Sequence, residues 1–202
     1  LTLISAVDKL RADHDDVRLF FLGMKHPNPN VPEMRMAWEA RQLSDQLGLT
    51  DKYVFFNEQW VVYNDRVNYL LDADLGVSAH FLHVETTFSF RTRMLDYMWA
   101  GMPIVATDGD SFGRLIRAEG LGVVVPERDP DAMAAALERA LYDEAFVAQC
   151  RENVARVREP FTWERTLEPL VEFCRRPLRA EDFEGERRPR RVRFTFVGNE
   201  PQ

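Results

Sequence analysis

Two rhythms of hydrophobic and polar positions trade places along the chain. Short apolar runs rich in β-branched and aromatic residues occupy 17–22, 53–56, 75–79, 104–107 and 122–125, and each has the length of a strand. Between them apolar residues recur every three or four positions, as on a helix with one buried face. Leu3, Val7 and Leu10 mark the first such helix, and Met36, Ala40, Leu43 and Leu47 point inward from a second over 33–47. A short one carries Tyr69, Leu70 and Leu71 behind a possible Asp65 cap, and Met94, Leu95, Met98 and Trp99 fall within a helix over 89–100. Asp129 caps a helix with Pro130 at its first position and Met133, Leu137 and Leu141 inward. Helices over 144–158 and 162–175 follow, broken at Pro160. Strand and helix alternate throughout. The pattern predicts an α/β, Rossmann-like parallel sheet with helices on both faces. One domain is expected over 1–176. The remainder, 177–202, reads as a charged linker with a strand-like run over 192–198.

In such sheets ligands sit at the carboxyl ends of the strands. Residues 23–25, 57–60, 80–89 and 107–111 lie there, and one rim therefore gathers the polar and aromatic loops. The stretch ETTFSFRTRMLDYMWAGMPIVATDGD, 85–110, concentrates the chemistry. It reads as loop, helix, tight turn and strand, with Gly101 at a helix C-cap and Pro103 preventing continuation. Arg91 and Arg93 stand in the first helical turn, where the helix dipole disfavours cations. A bound anion relieves that conflict, and Ser89 is placed to cap the helix, so this start is a candidate phosphate seat. Asp96 is positioned to pair with Arg93 or to accept from a ribose. The plainer alternative is an amphipathic helix with Arg–Asp surface pairs.

Charge and cysteine usage narrow the classes. A net charge of −7 argues against a nucleic-acid partner. Cys150 and Cys174 form no metal or redox motif, which fits a reduced, cytoplasmic setting. There is no signal peptide and no apolar run of spanning length, so membrane association is expected only through parts outside this sequence. The chain opens directly in a helical pattern without methionine, as a fragment of a longer protein would. No G-x-G-x-x-G follows a strand, which disfavours a dinucleotide dehydrogenase. His80-x-x-His83-x-Glu85 offers metal-ligand types, but no further ligands are near in sequence, and a solvated rim loop is the reading adopted. Lys25 and His26 either approach a donor phosphate or form a surface loop.

The element order, together with the 85–110 stretch, resembles the carboxy-terminal donor-binding domain of group 1 glycosyltransferases, the retaining GT-B enzymes. Trp99-Ala100-Gly101-Met102-Pro103-Ile104-Val105-Ala106 is similar to the family's Ala-x-Gly-x-Pro-Val-Val-Ala. Further similarity lies in Phe20-Phe21-Leu22-Gly23, Val54-Phe55-Phe56, Asp72-Ala73-Asp74 and Phe161-Thr162-Trp163, so the resemblance covers 1–175. It implies transfer of a sugar from a nucleotide-diphosphate donor to an acceptor held by an amino-terminal domain of the same protein, without metal or other cofactor. It further implies that Ser89, Phe90, Arg91 and Arg93 hold the diphosphate, with Thr92 beside them, and that the arginines stabilise the departing charge. Asp96 falls where the family's second acid meets the ribose, and Glu85 is assigned to the sugar. Trp60 is assigned to the base, against the alternative of a packed core aromatic, and Lys25 to the donor.

The sequence departs from the family in two ways. Phe88 occupies the place of the first acid, and Glu85 stands eleven residues before Asp96. The family's first strand and its basic loop would precede Leu1. Arg91 and Arg93 are expected to replace that charge, and 192–197 to fill or flank the strand's place. Two other classes stay open: a nucleotide-sugar epimerase or hydrolase using His80 or His83 as base, and a binding module without catalysis.

Overall fold

The structure, a computed structural model, describes residues 1–57 and 59–178. The predicted run over 192–198 and the tail that carries it lie outside the described residues. The chain divides into two units, Leu1–Thr162 and a second beginning at Trp163.

The first unit alternates as the pattern predicts. α1 (Thr2–Leu10) leads to β1 (Leu19–Phe21), α2 (Arg35–Gln46), β2 (Val54–Phe56), a 3₁₀ turn at Tyr63–Asp65, α3 (Arg66–Leu71) and β3 (Gly76–Ser78). Then come α4 (Val84–Phe88), α5 (Arg93–Trp99), β4 (Ile104–Thr107), α6 (Ser111–Glu119), β5 (Gly122–Val125), α7 (Pro130–Tyr142) and α8 (Glu144–Val157). A 3₁₀ turn at Glu159–Phe161 follows, where Pro160 breaks the helical run. The second unit begins with α9 (Trp163–Thr166) and α10 (Glu168–Arg175), so the single helix expected over 162–175 is two. Pro169, in the first turn of α10, cannot donate the backbone hydrogen bond that a continuous helix would need there.

All strand pairs are parallel. They form a two-stranded sheet, β1-β2, and a three-stranded sheet, β3-β4-β5. β4 shows why the middle strand reads as an uninterrupted apolar run, since all four of its residues are buried. Alternate side chains enter different clusters. Val105 joins Val77, Val123 and Val125 with α1 and α7, through Ile4, Val7, Met133 and Leu137. Ile104 and Ala106 join Met94 and Met98 of α5, Phe112 and Ile116 of α6, and Val154 of α8. Both faces of this sheet are thus covered. β1-β2 differs, because Leu19, Phe21, Val54 and Phe56 face the first cluster while Phe20 stacks on Phe55 at 4.9 Å and stays 59% exposed.

Local signals behave unevenly. Asp129 caps α7, its Oδ1 accepting from the Ala132 N–H at 2.9 Å, with Pro130 at the first position. Asp129→Ala is expected to cost about 1 kcal/mol. That would lower the melting temperature by about 2–4 °C in a domain of this size, and a thermal melt followed by circular dichroism measures it. Asp65 precedes α3 but makes no side-chain cap bond, because the 3₁₀ turn already delivers the chain in helical conformation. Met36 is exposed, and α2 buries Ala40 and Ser44 instead. Gly101 adopts φ +74° just past α5, which lets the chain turn back into β4.

The largest departure is at 89–100. Residues 84–88 and 93–99 are separate helices, and Ser89 between them is extended at φ −70°, ψ 136°. The Ser89 hydroxyl donates to the Glu85 carbonyl at 2.7 Å, closing α4, so Ser89 is not the cap of the longer helix. Thr92 holds the position before α5 and gives no side-chain cap bond. The Tyr97 hydroxyl donates to the Val77 carbonyl at 3.0 Å and fixes α5 to β3.

Candidate functional site

The loops leaving β3, β4 and β5 are tied together at their carboxyl ends. The His80 backbone N–H donates to Thr107 Oγ1 at 2.9 Å, the Thr107 hydroxyl reaches the His80 carbonyl at 3.2 Å, and ring Nδ1 of His80 lies 2.9 Å from the same oxygen. The Leu82 N–H donates to the Glu127 carboxylate beyond β5. His83 stands before α4 and accepts from the Thr86 N–H at 3.4 Å. The buried Thr86 hydroxyl donates to the Phe81 carbonyl at 2.7 Å.

Arg91 and Asp110 form the centre of this cluster. Asp110 caps α6, with Oδ1 accepting from the Gly113 N–H at 2.7 Å. Its other oxygen accepts from Arg91 Nε at 3.0 Å, and the Asp110 side chain is only 1% exposed. Arg91 Nη2 donates to Thr86 Oγ1 at 3.2 Å. The guanidinium is thereby braced by the carboxylate on one edge and the hydroxyl beside it. Two of its nitrogens are engaged, and among the described residues no hydrogen bond is seen to the third, Nη1.

The other predicted residues spread around this centre. Arg93, the first residue of α5, is exposed. Asp96 pairs with Arg66 rather than Arg93, with contacts of 3.0 and 3.2 Å, and Arg66 lies 4.5 Å over the Tyr63 ring. Partial burial raises the Asp96 pKa above the usual carboxylate range, and the Arg66 charge only partly offsets this. Glu85 is exposed in the first turn of α4, and Phe88, in the place of the family's first acid, is 84% exposed on the same short helix. Phe90 tilts against Phe112 at 4.8 Å. Trp60 is 56% exposed, with His26 at 5.8 Å, so it is not a packed core aromatic. Lys25 forms a loose surface pair with Glu33 at 3.8 Å. The loops of β1 and β2 are linked separately, the Met24 N–H donating to the Asn57 carbonyl at 3.1 Å.

Sequence reasoning missed Asp110, Thr107, Thr86 and Arg66. Asp110 had a local signal, an acid directly before a helix with an N–H to cap three residues on. Arg66 had none, since it lies thirty residues before Asp96. The His80/His83/Glu85 spacing does not gather a site, and no group of three or more metal-ligand side chains occurs among the described residues. No helix there is long and apolar enough to cross a membrane.

The fold has known relatives. The family model described as glycosyl transferases group 1 matches residues 1–143. Sucrose-phosphate synthase from Thermosynechococcus elongatus superposes with a TM-score of 0.67 at 21% identity, over 85% of this chain and 41% of that one. The C-terminal domain of LpcC, a glycosyl transferase group 1 family protein from Francisella tularensis, gives 0.63 at 18% identity, over 77% and 75%. Anabaena Alr3699/HepE, solved in complex with UDP and glucose, gives 0.63 at 15% identity, over 86% and 53%. No curated protein matches the sequence. This chain spans about two fifths of the sucrose-phosphate synthase chain (41%). The structural neighbours share the GT-B fold, and the family model covers well over half of the sequence. The chain belongs to the glycosyl transferases of group 1.

Proposed function

We propose that this domain binds the nucleotide-diphosphate sugar from which a group 1 glycosyltransferase transfers the sugar to an acceptor, the acceptor being held by an amino-terminal domain of the same protein. The observation that carries this is Arg91, braced by Asp110 and Thr86 at the strand carboxyl ends with one nitrogen uncommitted among the described residues, and followed two residues later by the exposed Arg93. Two guanidinium groups at one rim suit the paired charges of a diphosphate. Family membership and the UDP complex of the HepE relative support the same reading.

In this reading Arg91 and Arg93 neutralise charge as the diphosphate departs, and no metal is required. Phe90 and Thr92 supply backbone and hydroxyl donors next to them, and Ser89, whose N–H and hydroxyl close α4, would have to release one of the two to join them. Asp96 accepts from the ribose while Arg66 holds its far side. Glu85 reaches the sugar, Trp60 stacks on the base, and Lys25 approaches the donor from the β1 loop. An epimerase or hydrolase would need an accessible base. The His80 ring is enclosed, whereas His83 is exposed with its ring 3.4 Å from Thr86, so the transferase reading is favoured chiefly by family membership.

Calorimetric titration of the chain with UDP, GDP, ADP and TDP, with and without magnesium, tests it. One diphosphate is expected to bind equally well in both conditions. Arg93→Ala should weaken it about tenfold or more, the loss of one charge-assisted hydrogen bond, while the melting temperature holds. Absence of binding by all four would overturn the donor reading.

A further inference from the structure

His80 is a buried group of the rim cluster that the proposed chemistry leaves unused. Its side chain is 6% exposed, and ring Nε2 is buried without a hydrogen-bond partner. That nitrogen faces Asp110 Oδ2 at 3.9 Å, a separation too long for a hydrogen bond, although a carboxylate is the natural acceptor for an N–H. The tautomer with the proton on Nδ1, which the contacts around Thr107 permit, accounts for this. Thr107 accepts from the His80 backbone N–H and has a single proton to give. Given to the His80 carbonyl, it leaves Nδ1 as the protonated ring nitrogen and Nε2 as a bare lone pair turned toward the carboxylate. Acceptor then faces acceptor, and the two stay apart.

The charges around the ring explain why it is neutral. Burial lowers the His80 pKa most, and the Arg91 guanidinium lowers it further. Asp110 and the Asp108 carbonyl act in the opposite sense, and His83, from the start of α4, again lowers it. Asp108 itself is bridged to Arg117 at 2.7 Å, Glu127 is bonded to the Leu82 N–H, and Arg128 lies 4.7 Å over the Phe81 ring. Arg91 is the strongest of these influences that a bound anion would cancel.

We infer that His80 is the proton-linked positioning residue of the anion site. A diphosphate held by Arg91 draws a proton from solvent onto His80 Nε2, and the new N–H closes on Asp110 Oδ2. The inference rests on the donor reading and extends it. Binding of the anion and uptake of the proton favour each other reciprocally. The protonated ring joins the β3 loop to the cap of α6, so the loop carrying Phe81 and Leu82 is drawn toward the anion-binding arginine. Affinity for the diphosphate rises as pH falls from above the His80 pKa of the complex toward that of the free protein. A shift of about one unit corresponds to a tenfold change in proton affinity and to uptake of about half a proton at the midpoint.

Two measurements on the intact chain test this. In the first, without ligand, the His80 ring is titrated by carbon-13 NMR in the wild type and in Arg91→Gln, with His80→Gln for assignment. The variant is expected to raise the His80 pKa, and an unchanged titration would overturn the inference. In the second, calorimetry in buffers of different ionisation enthalpy counts protons taken up per UDP, GDP, ADP or TDP bound. Uptake is expected in the wild type and lost in His80→Gln, whose difference from the wild type removes the ligand's own protonation. Binding with equal proton counts in both proteins overturns the role of His80 and leaves the donor reading intact. No binding of any diphosphate overturns the donor reading and the coupling together.

Discussion

Gly122→Ala is expected to leave little folded protein. Gly122 opens β5 at φ +157° and lies opposite Ile104 in the parallel ladder. A Cβ built there would stand 1.8 Å from the Ile104 carbonyl oxygen and 2.7 Å from that residue's carbonyl carbon and nitrogen. All three are backbone atoms, so no change of rotamer relieves the overlap. β5 would have to leave β4, and with it the bond from the Ile104 N–H to the Leu121 carbonyl at 3.0 Å and the contacts of Val123 and Val125. A cost above about 4 kcal/mol is expected, a large share of the stability of an ordinary domain, about 5–15 kcal/mol, and nearly all of it in a domain at the lower end. Soluble yield and a circular-dichroism melt measure it. A variant melting within about 3 °C of the wild type would contradict the argument, since that corresponds to only about 1 kcal/mol.

Arg91→Ala is expected to destabilise the fold as well as weaken donor binding. It removes the Nε donor from Asp110 and leaves a carboxylate buried at 1% exposure without its cation. Breaking a buried pair from one side costs about 3–5 kcal/mol, more than the pair itself contributes. Urea unfolding of a double-mutant cycle separates the two. Asp110→Asn removes the charge and keeps the acceptor that caps α6 at Gly113. Arg91→Ala/Asp110→Asn should therefore recover most of the stability lost in Arg91→Ala, and strict additivity would refute the coupling. Donor affinity stays low in the double variant, because the guanidinium is absent. For this reason Arg93, exposed at the start of α5, is the cleaner position for testing phosphate binding, while Arg91 reports on the architecture behind it.

What the sequence made visible follows from the range of the interactions involved. β4 and β5 were legible to the residue, because Ile104–Thr107 and Gly122–Val125 are buried apolar runs bounded by turn residues. α7 was legible because its cap, its proline and its apolar stripe agree. The break at Ser89 was not. Met94 and Met98 set a helical spacing just after it that gives no sign of where the helix begins, and the residues that hold the intervening chain are Thr86 and Asp110, the latter nineteen positions beyond Arg91. Asp96 shows the same limit, since its expected partner Arg93 is local and its actual partner Arg66 comes from another element. Trp60 was ambiguous and Met36, read as inward, is exposed, because an apolar side chain in a loop or on a helix face does not by itself reveal what covers it.

The uneven burial of the strands divides the rim into a stiff half and a compliant half. Thr107 is the last residue of β4, the strand enclosed on both faces, and Asp110 follows three residues later as the cap of α6. Asp110, the brace of Arg91, is therefore anchored next to the most buried strand of the domain. Lys25, Trp60 and Glu85 hang from loops or from a single helical turn, and they retain freedom to adapt. Under the donor reading proposed above, a site built this way would fix the phosphates while tolerating change in the base and the sugar. Related chains could then exchange donors by rewriting surface loops and leave the anchor untouched.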